Sequence, residues 1–122
     1  MNQETTILYV DDEPLNLMLF EISFRRHYKV ITANSGSEGL DKLKSNPHIA
    51  VTISDMKMPG MNGLEFITRA KSDFPGMAYF ILTGFDISEE IAEALRNNLI
   101  VNYFRKPFNV KEIVDSVEST RK

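Results

Sequence analysis

The chain has 122 residues, 43% hydrophobic and 25% charged, the proportions of one globular domain with a sizeable core. Its formal charge of −3 argues against direct nucleic-acid binding, which needs a basic surface. The lack of cysteine excludes disulfides and thiolate metal sites, no apolar run reaches the roughly 18 residues of a membrane span, and Met1-Asn2-Gln3-Glu4-Thr5-Thr6 lacks the basic and apolar regions of a signal peptide. A single cytoplasmic domain over residues 1–122, with no membrane association, is the expectation.

Ile7-Leu8-Tyr9-Val10 is an apolar run without strict alternation, which suits a strand covered on both faces. It ends at Asp11-Asp12-Glu13, and Pro14 suits the first turn of a helix that runs to about residue 26, closed by Arg25, Arg26 and His27. That helix has more apolar residues than one buried face requires. Leu15, Met18 and Ile22 share one side, Leu17, Phe20 and Phe24 lie roughly opposite, and Leu19 falls between. Tyr28 to Thr32 reads as a second strand, followed by a helix capped by Ser35 or Ser37, with Leu40 and Leu43 inward, that Asn46-Pro47 stops.

Ile49 to Ser54 is a third strand that ends in Asp55 and breaks into Met56-Lys57-Met58-Pro59-Gly60-Met61-Asn62-Gly63. Leu64, Phe66, Ile67 and Ala70 mark a third helix, ended by Phe74-Pro75-Gly76. Tyr79 to Thr83 is a fourth strand, turning at Gly84-Phe85-Asp86. Ile87, Ile91, Ala94 and Leu95 give a fourth helical stripe, which stops at Asn97-Asn98, where Asn tolerates a left-handed backbone. Leu99 to Phe104 is a fifth strand broken by Lys106-Pro107, and Asn109 can cap a last helix bearing Val110, Ile113, Val114 and Val117.

Five strands alternating with five helices imply a doubly wound parallel sheet with helices on both faces. In such a sheet every strand C-terminus lies on one edge, where ligands bind. That edge collects Asp11 and Asp12, Asp55, Thr83 and Lys106. A lone Asp ending a strand is ordinarily a turn residue, and Asp-Asp before Pro is often a helix cap. The five together on one edge say more. Clustered carboxylates repel, so they take up protons or recruit a cation, and oxygen ligands without His or Cys favour a hard ion such as Mg²⁺. Lys106 can neutralise a further charge and Thr83 can hydrogen-bond an oxyanion. Asp55 is thereby suited to receive a phosphoryl group as an aspartyl phosphate.

These residues give the chain its resemblance to the response-regulator receiver domain of two-component (phosphorelay) signalling, from Ile7 to about Val117. The motifs are Tyr9-Val10-Asp11-Asp12-Glu13-Pro14, Ser54-Asp55-Met56-Lys57-Met58-Pro59-Gly60-Met61-Asn62-Gly63, Ile81-Leu82-Thr83-Gly84 and Tyr103-Phe104-Arg105-Lys106-Pro107-Phe108. The resemblance implies a flavodoxin-like sheet of order 2-1-3-4-5 and a cis Lys106-Pro107 bond. It makes Asp55 the phospho-acceptor, served by a sensor histidine kinase, a histidine phosphotransfer protein or a small phosphodonor. Asp11, Asp12, Asp55 and the Lys57 backbone carbonyl would surround Mg²⁺, and Thr83 and Lys106 would contact the phosphoryl oxygens. Thr83 and Tyr103 would form the switch, although a half-buried strand aromatic reads equally well for Tyr103. The partner-binding face would lie around the fourth helix, fifth strand and fifth helix, read by an output domain, an effector or a second copy. Lys57, two residues after Asp55, and Phe85, two after Thr83, would flank the phosphoryl group; a bulky Phe85 would exclude water and Lys57 would position anions.

The resemblance also turns Leu19, Phe20 and Phe24 of the first helix inward. Leu15, Met18 and Ile22 then stay outward to dock a helical phosphodonor, against the reading of a thickly covered core helix. His27 and His48 read as surface histidines rather than phosphohistidines. By this reading the domain is not an enzyme beyond its own phosphorylation and dephosphorylation. A Mg²⁺-dependent phosphatase acting on a small metabolite through an aspartyl phosphate is the competing class. Haloacid-dehalogenase-type enzymes of that class need a second Asp two residues after the nucleophile, where this chain has Lys57.

Overall fold

The computed structural model describes residues 5–84 and 87–121. Five strands alternate with five helices: β1 (Thr6–Val10), α1 (Pro14–Phe24), β2 (Lys29–Ala33), α2 (Gly36–Ser45), β3 (Val51–Asp55), α3 (Gly63–Asp73), β4 (Ala78–Thr83), α4 (Glu89–Arg96), β5 (Asn102–Arg105) and α5 (Val110–Ser119). All strand pairs are parallel and the order is β2-β1-β3-β4-β5, the flavodoxin-like arrangement expected. The sheet reverses direction of growth at β1 and β3, the switch point where a crevice opens at the strand C-termini.

Alternation along the strands divides the core in two. Leu8, Val10 and Ile81 meet Leu43 of α2, Phe66, Ile67 and Ala70 of α3, and Ile91 and Ala94 of α4. Ile7, Tyr9, Ile53, Phe80, Leu82 and Phe104 meet Phe20 and Phe24 of α1 and Ile113 and Val117 of α5. The central strands β1 and β3 are buried at every position, the polar Thr52, Ser54 and Asp55 of β3 included.

Helix ends follow local chemistry. Ser35, not Ser37, caps α2 by accepting from Glu38 N–H. Asn62 and Glu65 form a reciprocal capping box on α3, and Asn109 accepts from Glu112 N–H on α5. Asn98 adopts φ 60° after α4, the left-handed stop expected of the Asn pair. Several boundaries differ from the sequence reading. α1 ends at Phe24, so Arg25, Arg26 and His27 lie beyond its last turn. β5 begins at Asn102 because Leu99–Val101 is spent on the turn from α4, with Ile100 buried there.

Leu19 departs from the inward face assigned to it and is 47% exposed. Leu15, Met18, Leu19 and Ile22 stand at i, i+3, i+4 and i+7 and form one outward stripe, all between 47% and 62% exposed. Phe20 and Phe24 alone are fully buried in this helix, and their rings meet at a tilt of 30° with centroids 4.4 Å apart. α1 is therefore two-faced, with large aromatics inward and a continuous aliphatic stripe outward. Substituting Phe20→Ala is expected to cost about 3–5 kcal/mol, the range for deleting a buried ring, whereas Met18→Ala should stay within about 0.5 kcal/mol. Urea unfolding of the two variants checks the assignment of faces.

Candidate phosphoryl-acceptor site

The strand register sets the level of each functional side chain. Val10 pairs with Ser54, so Asp11 and Asp55 follow at one height. Asp55 pairs with Leu82, which puts Thr83 one step further, and Thr83 pairs with Arg105, so that Lys106 is next. The loops are anchored by backbone bonds: Lys106 N–H donates to Thr83 O at 2.8 Å, Met56 N–H to Leu82 O at 3.2 Å, and Gly63 N–H to Met56 O at 2.8 Å. Gly63 is required here by close approach. A Cβ on it would lie 2.3 Å from the Asp55 carbonyl oxygen and 2.9 Å from Ile81 Cδ1. α3 can thus start directly against the peptide that carries Asp55.

Asp11 is fully buried and Asp55 is 7% exposed, while Asp12 is half-buried. One carboxylate oxygen from each of the three lies within 4.8 Å of the others. Lys106 Nζ sits 2.9 Å from Asp55 Oδ1 and 3.5 Å from Asp11 Oδ2. Asp11 is further fixed by two donors, Glu13 N–H at 3.0 Å to Oδ1 and the Tyr9 hydroxyl at 2.6 Å to Oδ2. The Asp-Asp pair is therefore not a helix cap, since Glu13 holds that position and makes no side-chain cap. Thr83 is buried at the β4 end, and the Lys106-Pro107 peptide is cis. Gly84 leaves its side open to Lys106, whose Cδ would be 3.7 Å from an added Cβ.

Burial raises the Asp55 carboxyl above its ordinary range; the Lys106 hydrogen bond opposes this and the Asp11 charge adds to it. For Lys106, burial acts to lower the ammonium, but the hydrogen bond and charge of Asp55, followed by those of Asp11, outweigh it and hold the group above its usual range. Burial, with the Asp11 charge added, thus disfavours the charged form of Asp55, while the neighbouring carboxylates keep Lys106 charged. Oxygen donors from three carboxylates, with no nitrogen or sulfur ligand among them, suit a hard divalent cation.

The structure brings together every acidic, hydroxyl and ammonium side chain that the sequence placed on this edge. Lys57 is exposed in the β3–α3 loop, and Phe85 lies outside the described residues. Tyr103 is half-buried against the α4 side of the core. His48 is exposed and His27 half-buried beside Tyr28, both away from the acidic cluster. Tyr9 is the contributor that sequence reasoning passed over. Its signal was a phenol at the position two before Asp11, where strand periodicity puts both side chains on one face.

A carboxyl raised on folding binds its proton more tightly in the native state, so it lowers stability as pH climbs past the ordinary carboxylate value of about 4. Asp55→Asn removes that charge with little change of shape. In metal-free buffer at pH 7 the variant is expected to be more stable than wild type by on the order of 1 kcal/mol. The difference should shrink as pH falls through the carboxylate range, which thermal unfolding at several pH values measures.

Comparison with known proteins agrees with this geometry. Residues 7–118 match the model of the response regulator receiver domain. Sporulation initiation phosphotransferase F of Bacillus subtilis is 32% identical over 97% of this chain and 93% of its own length. The hydrogenase transcriptional regulatory protein HoxA of Cupriavidus necator is 27% identical over 95% of this chain, which spans only 24% of that longer regulator. The crystal structure of a response regulator receiver domain protein from Clostridium thermocellum superposes with a TM-score of 0.89, at 30% identity over 96% of this chain and 94% of that one. The chain belongs to the response regulator receiver domain family, and its role is that of a signalling phospho-acceptor.

Proposed function

We propose that Asp55 is the residue phosphorylated and that Thr83 and Lys106 assist the transfer. A carboxylate oxygen of Asp55 attacks phosphorus; the bond from phosphorus to the donor's imidazole nitrogen, or to the acyl oxygen of a small donor, breaks, and its electron pair leaves with the donor. Lys106 Nζ, already 2.9 Å from Asp55, passes to a phosphoryl oxygen, and the Thr83 hydroxyl donates to another. Asp11, Asp12, Asp55 and the Lys57 backbone carbonyl would hold Mg²⁺, which when bound supplies positive charge to the phosphoryl oxygens. The observation that carries this reading is the Lys106–Asp55 contact beside three carboxylates whose oxygens lie within 4.8 Å. No feature favours a metabolite phosphatase, because Lys57 stands where that chemistry needs its acid.

Acetyl phosphate with Mg²⁺ should add one phosphoryl group by intact mass. Asp55→Asn should add none, and Lys106→Ala should cut the response sharply. Modification of Asp55→Asn equal to wild type would defeat the assignment.

The consequence of phosphorylation is a change at α4, β5 and α5, as Thr83 moves toward the phosphate and Tyr103 turns inward. An output domain, an effector protein or a phosphorylation-dependent dimer would read that face. The donor is a sensor histidine kinase or histidine phosphotransfer protein in the cytoplasm, docking on Leu15, Met18 and Ile22. These residues are 47–62% exposed and border a cleft of about 510 Å³ lined by Asn16, Leu19, Ser23, Lys106 and Phe108. Exposed apolar groups beside the acceptor suit a helical partner that presents its phosphohistidine to Asp55. Met18→Asp should slow transfer from the histidine donor by about tenfold or more, the scale of losing one buried apolar anchor. Its rate with acetyl phosphate should be unchanged. Equal slowing with both donors would point to damage at the site instead of lost docking.

A further inference from the structure

We propose that Tyr9 is a positioning residue for divalent-cation binding, its hydroxyl fixing the Asp11 carboxylate in the orientation that faces Asp12 and Asp55. The proposal rests on reading the acidic cluster as a cation site.

Asp11 is the most enclosed carboxylate of the cluster, and its two oxygens have different surroundings. Oδ1 accepts from Glu13 N–H at 3.0 Å; Oδ2 accepts from the Tyr9 hydroxyl at 2.6 Å, with Lys106 Nζ at 3.5 Å. Lys106 is shared, since it stands closer to Asp55, and in the proposed transfer it moves on to the phosphoryl group. The phenol is then the side-chain donor that stays with Oδ2 throughout. A carboxylate has about four lone-pair sites, so these bonds still leave capacity for a cation.

The phenol is itself held rigidly. Tyr9 is 1% exposed, and its ring stacks on Phe20 at 4.1 Å with 10° between the planes. Packing alone does not require the hydroxyl, because a Phe would fill the same stack. Of the other β1 positions, Ile7, Leu8 and Val10 are apolar, and the polar Thr6 lies at the opposite end of the strand from Asp11. What the oxygen adds is a directed bond to a cation-facing carboxylate. Partners of this kind orient the ligand and are commonly worth 10–100-fold in metal affinity.

The test is Tyr9→Phe, with MgCl₂ titrated calorimetrically into the metal-free full chain. The dissociation constant should rise by about tenfold or more relative to wild type. At saturating MgCl₂ the rate of phosphorylation by acetyl phosphate should return to within about twofold of wild type, the pattern of lost binding with intact chemistry. In wild-type protein labelled with ¹³Cζ-tyrosine, the Tyr9 resonance should move with the calorimetric midpoint while Tyr28 and Tyr79, distant from the site, stay still. This last measurement decides the matter should the variant not fold. Equal affinities, a rate deficit that MgCl₂ does not recover, or an unmoved Tyr9 resonance would each overturn the proposal. Wild-type protein that binds no MgCl₂ would overturn the cation reading as well, which separates the two failures.

Discussion

Mutual repulsion among Asp11, Asp12 and Asp55 is the constraint on which the rest of the structure depends. Two unit charges 4 Å apart repel by about 4 kcal/mol at an effective dielectric near 20, and the three carboxylates here each place an oxygen within 4.8 Å of the others. Lys106 neutralises one of the three carboxylates and leaves two negative charges, a balance that a divalent cation matches. A core on both faces of the sheet offsets the cost of holding the charges together. In the proposed transfer, the same unfavourable charge makes the edge receptive to a cation, and the cation in turn makes it receptive to a phosphoryl group. Excess charge at this edge is part of the function that folding has to accommodate.

A parallel sheet suits the task because it delivers charges from distant parts of the chain to one edge without helix or hairpin geometry intervening. Each functional side chain sits just at or beyond the last ladder pairing, so its position is set by backbone bonds on the strand side. Side-chain and loop bonds complete the support, through Glu13 N–H and the Tyr9 hydroxyl for Asp11 and through the Gly63 contact for the Asp55 peptide. Such dense support limits side-chain motion, which is what electrostatic catalysis needs if its charges are to be in place before reaction.

The βα alternation, the five residues of the edge and the capping residue Asn109 could be read directly, because each depends on local pattern or on topology that follows from pattern. Legibility failed where tertiary contact decides. Helical spacing grouped Leu15, Met18 and Ile22 but left Leu19 between faces, and only the packing of Phe20 and Phe24 against Tyr9 and Phe108 turned Leu19 outward. The start of β5 was similarly set by burial of Ile100 in the turn from α4, a contact that composition does not reveal. The Tyr9–Asp11 bond was legible in principle, since period two puts residues 9 and 11 on one face. It was obscured because a Tyr in an apolar run reads first as core.

The ring stack gives the two-faced helix its significance. Tyr9, Phe20, Phe24 and Phe108 form one aromatic group with centroids 4.1 to 5.6 Å apart. Tyr9 leads from it to Asp11, and Phe108 leads to Lys106 two residues earlier in the chain. The inner face of α1 is therefore braced against the elements that carry two groups of the acceptor site, while its outer face carries the stripe proposed for docking. A close-packed aromatic group deforms little, so a partner seated on the stripe is held at a fixed distance and angle from Asp55. Orientation of this kind is worth several kcal/mol in a transfer between two macromolecules, and it requires no conformational change in the acceptor. With the docking proposed above, the aliphatic excess of α1 and the aromatic content of its neighbours have a single physical explanation: one helix both completes the core and holds a phosphodonor in register with the site.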